Sequence, residues 1–234
     1  MTALMIKRIV LATRACAVEE FVTGWRTAAG TALAAPPGAR PVRVASCTVL
    51  PDLTPDAPHD GIALEWFTDD DHLRRFESWM DSPAGRRTGA QLGRAVEPTS
   101  LRVVVAREHV MRGAEWLRER WRDRGRKLKH MAIARRAAGL TPAEFVDRWR
   151  SRAGRVGSVP IPPPARGQAY LQNHPLAGIG GEWPYDAVNE VYFDDLDGLR
   201  GRIAWFAENL AGQEDDLVGE SWFVAVTEEV LQSR

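Results

Sequence analysis

The chain is poor in the residues that most often mark a compartment or a metal site. Among its 234 residues there are two cysteines, Cys16 and Cys47, which are too few for a disulfide framework and too isolated for a zinc site. Lysine occurs only as Lys7, Lys127 and Lys129, and we attribute the excess of arginine to genome composition. The net charge is zero, so no overall field attracts nucleic acid or an anionic membrane.

Long apolar runs are also missing, and none approaches the roughly 20 residues that a transmembrane helix requires. The N-terminus begins like a signal peptide, but Arg14 interrupts its apolar run after a few residues. We therefore expect a cytoplasmic monomer or homodimer with no membrane or nucleic-acid partner. No set of His, Cys and carboxylate residues has metal-ligand spacing, and no dinucleotide motif is present, so we expect neither a metal nor a cofactor.

The most informative feature that is present is a long internal repeat. Segments 20–26, 60–67 and 101–108 recur, in the same order, as segments 144–150, 186–193 and 221–228. Two copies at so long a period are typical of a duplicated domain rather than a solenoid. The sequence predicts domains at 1–108 and 127–234, with a linker helix at 109–126. In that linker Glu115, Glu119 and Asp123 intersperse the arginines, which argues against a nucleic-acid patch.

Each half is predicted to run strand, helix, strand, strand, helix, strand. In the first half the strands are 6–14, 40–49, 61–67 and 100–107, with helices at 17–29 and from Asp69 or Asp70 onward. In the second half the strands are 128–136, 167–173, 186–193 and 220–227, with helices at 141–152 and 195–210. Thr141, Pro142 and Glu144 together predict a capped helix start.

This order is the split βαβ pattern of a ferredoxin-like fold, which leaves one face of its sheet bare. Strands 103–105 and 222–226 are apolar on both faces, so the bare face must be covered. The other half is the obvious cover. The predicted fold class is therefore α+β, with two ferredoxin-like βαββαβ halves forming an intramolecular barrel around a lumen.

Several segments resemble the EthD-type domains of the dimeric α/β-barrel superfamily. They are Arg136-Ala137-Ala138-Gly139-Leu140-Thr141-Pro142-Ala143-Glu144-Phe145 through Trp149, Tyr170-Leu171-Gln172-Asn173-His174, the segment 185–193, Glu108-His109-Val110 and Glu228-Glu229-Val230. The resemblance covers nearly the whole chain as two tandem copies. It implies a barrel whose active members work in the lumen. Such members include aromatic polyketide cyclases, cofactor-free quinone-forming monooxygenases, lactone isomerases and dehydratases.

The chain departs from that family at one position in each half. Members usually carry a His four residues after the helix Trp, followed by Gly. This sequence has Ala29-Gly30 and Ala153-Gly154 there. Any chemistry that the resemblance assigns to this His must come from other residues or be absent.

Three candidate catalytic residues lie in the second half. Glu190 interrupts an apolar strand, and it is either paired with an arginine at the sheet edge or a desolvated general base with a raised pKa. His174 ends a strand beside a glycine-rich loop, 175–184, where it is either a second base or a strand cap. His130 opens the fifth strand as a proton-donating acid or as a core histidine.

Six further residues are candidates for substrate binding. Asn173 would hydrogen-bond a developing enolate oxygen, and the others would line a lumen suited to a flat aromatic ligand: Asn189, Tyr170, Tyr192, Trp222 and Trp183. The proline-rich segment 154–167 is either a stiff lid or a surface connection.

The leading hypothesis is a cofactor-independent biosynthetic enzyme that acts on a small hydrophobic aromatic, polyketide-like substrate. Its reaction would be proton transfer: cyclisation, aldol dehydration or isomerisation. One alternative is a cofactor-free monooxygenase of a phenolic or anthrone-like substrate. The other is a non-catalytic ligand-binding or accessory protein.

Overall fold

The computed structural model describes residues 5–90, 95–123, 125–156, 159–176, 183–210 and 216–233. Its strands are β1 (Ile6–Ala12), β2 (Arg43–Val49), β3 (Gly61–Phe67), β4 (Arg102–Arg112), β5 (Lys127–Arg136), β6 (Arg155–Val156), β7 (Val159–Pro160), β8 (Ala169–Pro175), β9 (Ala187–Phe193) and β10 (Val218–Ser233). Its helices are α1 (Val18–Gly30), α2 (Asp70–Met80), α3 (Pro83–Gly89), α4 (Ala114–Arg122), α5 (Pro142–Ser151) and α6 (Leu196–Leu210). None of the helices in these segments has the length and apolar character needed to traverse a lipid bilayer.

Eight antiparallel strands close into a barrel in the order β1-β3-β2-β10-β5-β9-β8-β4. The first four strands of the chain are neighbours in the order β4-β1-β3-β2, and their counterparts follow the same order, β10-β5-β9-β8. Helices α1 and α2 pack on the outside of the first group, and α6 packs on β5 and β9 of the second. The expected barrel of α+β class is therefore present.

The barrel closes because β4 and β10 are longer than the sequence predicts. Residues 102–107 of β4 pair with β1, whereas residues 106–112 pair with β8. In the same way β10 pairs with β5 through residue 228 and with β2 from residue 226 onward. The predicted ends at 107 and 227 are wrong. The apolar pattern stops at Glu108 and Glu228, but both side chains are buried beside cations inside the barrel.

Local signals place the helix starts as expected. Thr141 and Glu144 form a capping box at α5, with Pro142 at the first helical position. Asp69 caps α2 by accepting a 2.7 Å hydrogen bond from the backbone N–H of His72. Within the segment 109–126, β4 runs on to Arg112 before α4 begins.

Side chains that point into the barrel form one buried apolar cluster over much of its length. Its members come from every barrel strand except β8 and include Leu11, Leu64, Met131, Ile133 and Val224. Towards one end, α4 lies over the barrel: Leu117 is buried, and the Trp121 ring meets the edge of Trp66 at a centroid distance of 6.5 Å. The barrel interior is thus a packed core that gives way to charged residues near α4.

Candidate functional site

A cluster of charged side chains occupies the barrel interior near α4. Glu190 on β9 accepts hydrogen bonds of 2.5 Å from the Nζ atoms of both Lys7 and Lys129. Lys7 also pairs with Glu108, and Lys129 with Glu228. Glu190 and the two lysine side chains are fully buried. Buried charges are tolerated only when they are paired in this way.

This pairing decides the protonation state of Glu190. Burial alone raises the pKa of this carboxyl, but the ammonium groups of Lys129 and Lys7 outweigh burial and hold the pKa well below its usual value. The predicted rise in the pKa of Glu190 is therefore wrong. The sequence did not reveal the two lysines that stabilise its ionised form. Glu190 is a permanently ionised member of an ion cluster, and its partners are lysines rather than an arginine at the sheet edge.

Two more candidate residues join this cluster. Asn173 on β8 donates a 2.9 Å hydrogen bond from Nδ2 to Oε1 of Glu190. Tyr192 on β9 lies under Lys129, whose Nζ is 4.6 Å from the ring centroid, and its hydroxyl is 3.5 Å from Oε2 of Glu190. Asn173, Tyr192 and Glu190 are completely enclosed. They are part of the packed barrel interior.

The cavity that bears on function lies on the opposite, outer face of the sheet, between the strands of the second half and helices α5 and α6. Its volume is about 610 Å³. Its apolar wall combines aliphatic side chains with the rings of Phe206 and Phe223, at a centroid distance of 5.2 Å, and with Trp149. A cavity of this size and character suits a flat organic ligand. We refer to it as the cleft.

His130 lines the cleft from β5. Its Nδ1 accepts a 3.0 Å hydrogen bond from Nε of Arg202 on α6, and its ring stacks on Phe223 at a centroid distance of 5.4 Å. Burial and the Arg202 charge lower the pKa of His130 to about 3. The imidazole is therefore neutral at ordinary pH. Because Nδ1 is the acceptor, the proton resides on Nε2, which makes His130 a hydrogen-bond donor towards a ligand.

Tyr170 and Asn189 form the second polar group of the cleft. The Tyr170 hydroxyl oxygen accepts hydrogen bonds from Nδ2 of Asn189 at 3.1 Å and from Nε2 of Gln172 at 2.8 Å. With both lone pairs of the oxygen engaged, the hydroxyl proton remains available to a ligand. Two buried polar atoms of the cleft lack a protein partner among the described residues: Oδ1 of Asn189 and Nε1 of Trp149.

His174 shares the outer face with Tyr170 but lies farther along β8. Its Nε2 is 3.1 Å from Oε1 of Gln172, which orients the amide that contacts Tyr170. Its ring meets His109 edge-on at a centroid distance of 4.9 Å. Burial, with the neighbouring His109 and Arg150, lowers the pKa of His174 to about 4. His174 therefore supports Tyr170 through Gln172 and does not itself line the cleft.

The remaining candidates, Trp222 and Trp183, lie away from the cleft. Trp222 packs edge-on against Tyr185 at the barrel end away from α4, at a centroid distance of 5.7 Å. Trp183 donates a 3.2 Å hydrogen bond from Nε1 to the carbonyl oxygen of Leu176. The glycines of the predicted 175–184 loop, at 178, 180 and 181, lie outside the described residues.

Nine candidate residues thus separate into different places. Strand alternation puts Glu190, Asn173 and Tyr192 inside the barrel, and His130, Tyr170 and Asn189 in the cleft outside it. His130 and Glu190 lie on neighbouring strands, but their side chains point to opposite faces and cannot act on one substrate.

The cleft is lined by cationic groups, of which one, Arg152, pairs with Asp216 at 2.8 Å. Its charged lining residues are all basic: Arg112, Arg152, Arg155, Arg166 and Arg202. No aspartate or glutamate is among the described residues that line it. Its polar groups therefore favour an anionic ligand, or a ligand that becomes anionic during reaction.

In the first half, the position that corresponds to His130 holds an arginine that is already paired. This residue is Arg8, because it pairs across the sheet with Glu65, whereas His130 pairs with Val191, the counterpart of Glu65. Arg8 pairs with Glu65 and lies over the Phe76 ring. The indole N–H of Trp25, the counterpart of Trp149, donates a 3.1 Å hydrogen bond to the carbonyl oxygen of Cys47.

The proline-rich segment 154–167 forms one wall of the cleft. Its described part contains the short β6–β7 pair and a 3-10 turn, Pro163–Arg166. Val156, Ile161 and Ala165 from this segment pack with Phe206 of α6. The segment is therefore part of the cleft wall.

The sequence reasoning missed four residues that organise these sites: Lys7, Lys129, Glu228 and Arg202. A usable signal existed for the lysines, because each half carries one Lys within its first strand and one Glu at the end of its last strand. Arg202 had no such signal, since an arginine on a helix is most often solvated. Within the described residues no three His, Cys, Asp or Glu side chains are grouped so as to hold a metal ion.

No protein-family profile matches the chain, and no curated protein matches it in sequence. Solved structures do match. An anthrone oxidase-like protein aligns with a TM-score of 0.57 and 12% identity, over 99% of this chain and 93% of that chain. A candidate monooxygenase from Fusobacterium nucleatum aligns with a TM-score of 0.51 and 9% identity, over 99% of this chain and 94% of that chain. A chlorite dismutase from Candidatus Nitrospira defluvii also matches, at a TM-score of 0.45 and 11% identity over 96% and 91% of the two chains.

Identities this low show a common fold alone. The fold is that of the dimeric α/β-barrel proteins, here completed within one chain.

Proposed function

We propose that this protein is a cofactor-independent enzyme that oxidises a flat phenolic or anthrone-like substrate with dioxygen in the cleft. The observation that carries the proposal is the composition of the cleft. An apolar cavity of about 610 Å³ with four aromatic side chains presents five arginines, a neutral imidazole donor and no carboxylate among its described lining residues. Of these arginines only Arg152 has an acidic partner among the described residues, Asp216.

Such a cleft stabilises the anion of its substrate. An anthrone or phenol that loses a proton becomes an enolate or phenolate, and cationic groups with fixed donors lower the free energy of that anion. The donors are the Nε2–H of His130 and the hydroxyl of Tyr170, while Arg202 holds His130 in the donating tautomer. The solvent-facing mouth of the cleft supplies a route for the released proton.

The anion is then the reductant, so the reaction needs no metal or flavin. The substrate methylene is oxidised to a carbonyl, one oxygen atom of dioxygen enters the product, and the other leaves as water with the two methylene hydrogens. The bound anion supplies the four electrons. Water at the mouth of the cleft accepts the first methylene proton, because no carboxylate is among the described lining residues.

Two observations support this reaction over proton transfer alone. The structural neighbour with a TM-score of 0.57 is described as anthrone oxidase-like, and another is a candidate monooxygenase. In addition, a cyclase or dehydratase needs a positioned base, and neither Glu190 nor His174 lines the cleft.

The proposal includes the origin of the scaffold. We infer that the halves 1–108 and 127–234 are tandem ferredoxin-like units of EthD type joined by the 109–126 segment. The matching strand orders of the two halves support this inference. The cleft belongs to the second copy, and this is where the substrate would bind.

The test uses 1,8-dihydroxyanthrone with the purified protein in air and under argon. Oxygen uptake and the absorbance of the anthraquinone product are followed together, and the protein-free oxidation rate is subtracted. We expect accelerated, strictly oxygen-dependent product formation. Tyr170→Phe should lower the rate by about a hundredfold to a thousandfold, as expected when one donor to a developing anion is lost.

A second tyrosine supplies the matched control. Tyr192→Phe removes a hydroxyl from the barrel interior, and it should leave the rate unchanged in protein that remains folded. A product of unchanged oxidation state formed equally under argon would favour a cyclase or isomerase instead. Saturable binding without any product would favour an accessory protein.

A further inference from the structure

We propose that the natural substrate carries a carboxylate in addition to its phenolic ring system, and that Arg202, Arg112 and Arg166 bind this carboxylate. The inference rests on the proposed function, because it concerns the same cleft. It narrows the substrate class to aromatic carboxylic acids.

Arg202 is the central residue of this group. It is 6% exposed, which is rare for an arginine without an acidic partner. Its Nε donates to His130, and its Nη1 donates a 2.7 Å hydrogen bond to the carbonyl oxygen of Ala165. Both acceptors are neutral. Among the described residues no carboxylate neutralises the guanidinium, and its Nη2 remains available.

Arg112 and Arg166 lie at the mouth of the cleft and are held in the same manner. Arg112 donates from Nη1 to the carbonyl oxygen of Gly167 at 2.8 Å and from Nη2 to that of Arg166. Arg166 donates from Nε to the carbonyl oxygen of Ile161 at 2.7 Å. Main-chain carbonyls thus orient these side chains without cancelling their charge.

The same chain pairs many of its other arginines with acids. Arg14 pairs with Asp60, Arg26 with Glu229, and Arg136 with Asp186. The absence of an acid in the described part of the cleft is therefore a local property. Burial and the charge of Arg166 lower the pKa of Arg112, and burial lowers that of Arg202 to about 10 with a further contribution from Arg112. A bound anion relieves this repulsion.

A carboxylate fits this group better than a single phenolate oxygen does. Guanidinium groups recognise two oxygens at once, because their parallel N–H bonds match the carboxylate fork. The phenolic oxygen is then left to His130 and Tyr170. Arg202 lies between the two groups. Its Nε donates to His130, and its Nη1 donates to the carbonyl oxygen of Ala165, which is next in sequence to the Arg166 carbonyl that accepts from Arg112.

The test compares two inert ligands of the same shape, anthraquinone-2-carboxylate and anthraquinone-2-carboxamide. Dissociation constants are measured by calorimetry on the full chain at low salt. We expect the carboxylate to bind wild type about tenfold more tightly, as for a charge-assisted hydrogen bond. Arg202→Met and Arg112→Met should each bring this ratio close to one. Arg118→Met, on the exposed face of α4, should leave it unchanged.

The ratio separates charge recognition from structural damage, because a distorted cleft weakens both ligands alike. If a variant fails to fold, the wild-type protein still provides a test. The ratio of its two dissociation constants should fall as the salt concentration rises, because salt screens the attraction between the arginines and the carboxylate. Equal binding of the two ligands to wild type would overturn this inference and leave the proposed function standing. A ratio that survives both substitutions would overturn the assignment to these arginines. If neither ligand binds, both proposals fail.

Discussion

The surroundings of Glu190 explain its contribution to the stability of the fold. One carboxylate is shared by Lys7 from the first half and Lys129 from the second, and all three side chains are fully buried. Removing one member of a buried ion cluster leaves the others desolvated and incompletely paired. The cost of such a change exceeds that of losing an exposed pair.

We therefore expect Glu190→Gln to lower the free energy of unfolding by about 3 kcal/mol. Urea unfolding followed by fluorescence measures this change. Asp71→Asn is the matched control, since it disrupts the exposed pair with Arg74 and should cost less than about 0.5 kcal/mol. A Glu190→Gln variant as stable as this control would contradict the structural role of the cluster.

The acid stability of the protein should depend on the same residue. The folded pKa of Glu190 is depressed, so its contribution to stability is complete above the unfolded pKa of about 4.3 and is lost as the pH falls below it. Buried neutral histidines such as His130 add a loss that begins nearer pH 6.5.

The difference between the pH profiles of the unfolding free energy for wild type and for Glu190→Gln isolates the contribution of Glu190. Between about pH 5 and pH 3, the unfolding free energy of wild type should fall more steeply than that of Glu190→Gln. Urea titrations across this range provide the measurement. Parallel profiles would mean that the carboxylate is not held ionised by the lysines.

At the scale of elements, the junction between β4 and α4 controls how the linker helix lies over the barrel. Gly113 occupies this corner with φ of 79°, and a Cβ atom there would lie 2.3 Å from the carbonyl oxygen of Gln168. The left-handed conformation and the close backbone approach both require glycine.

Gly113→Ala should therefore destabilise the protein by about 1–3 kcal/mol. Gly89→Ala is a suitable comparison, because Gly89 ends α3 in open space, where an added Cβ atom would meet no neighbour within 4 Å. Alanine there should be neutral or slightly stabilising. Thermal unfolding of the two variants would show the difference. Equal effects would indicate that the corner can relax.

Element boundaries show what local sequence signals can and cannot determine. The Thr141–Glu144 capping box and the Asp69 cap depend on neighbouring residues, so both helix starts were predictable. The ends of β4 and β10 depend on distant partners. Glu108 and Glu228 end the apolar pattern, yet each strand continues because a lysine from another strand pairs with the carboxylate.

At the scale of the whole molecule, the two halves share a strand order but differ in what lies between the outer face of the sheet and the helices. In the first half Arg8 and Trp25 are bonded to Glu65 and to the main chain, whereas in the second half their counterparts His130 and Trp149 line the cleft. Trp25 and Trp149 represent this difference. The first is fully buried with its N–H bonded to Cys47, and the second lines the cleft with its N–H unpartnered among the described residues.

Substituting phenylalanine for each tryptophan should have unequal effects on stability. Trp25→Phe loses a buried hydrogen bond and leaves a small void, so it should cost about 1–2 kcal/mol. Trp149→Phe should change stability by less than about 0.5 kcal/mol, because it removes a buried donor that has no protein partner among the described residues. Urea unfolding of both variants tests this. The reverse order would contradict the assigned difference between the halves.

The sequence by itself determined the order of strands and helices, the helix caps and the closure of the sheet into a barrel. These features follow from periodicity, turn chemistry and the need to cover an apolar sheet face, all of which are local or repeated. Only the tertiary structure decided which face each candidate residue occupies. A shift of one residue in strand register exchanges interior and exterior, so Glu190 and His130 could not be placed from the pattern. The partners that give these residues their charge states, Lys7, Lys129 and Arg202, are distant in the chain, and their effect depends on burial that no local pattern encodes.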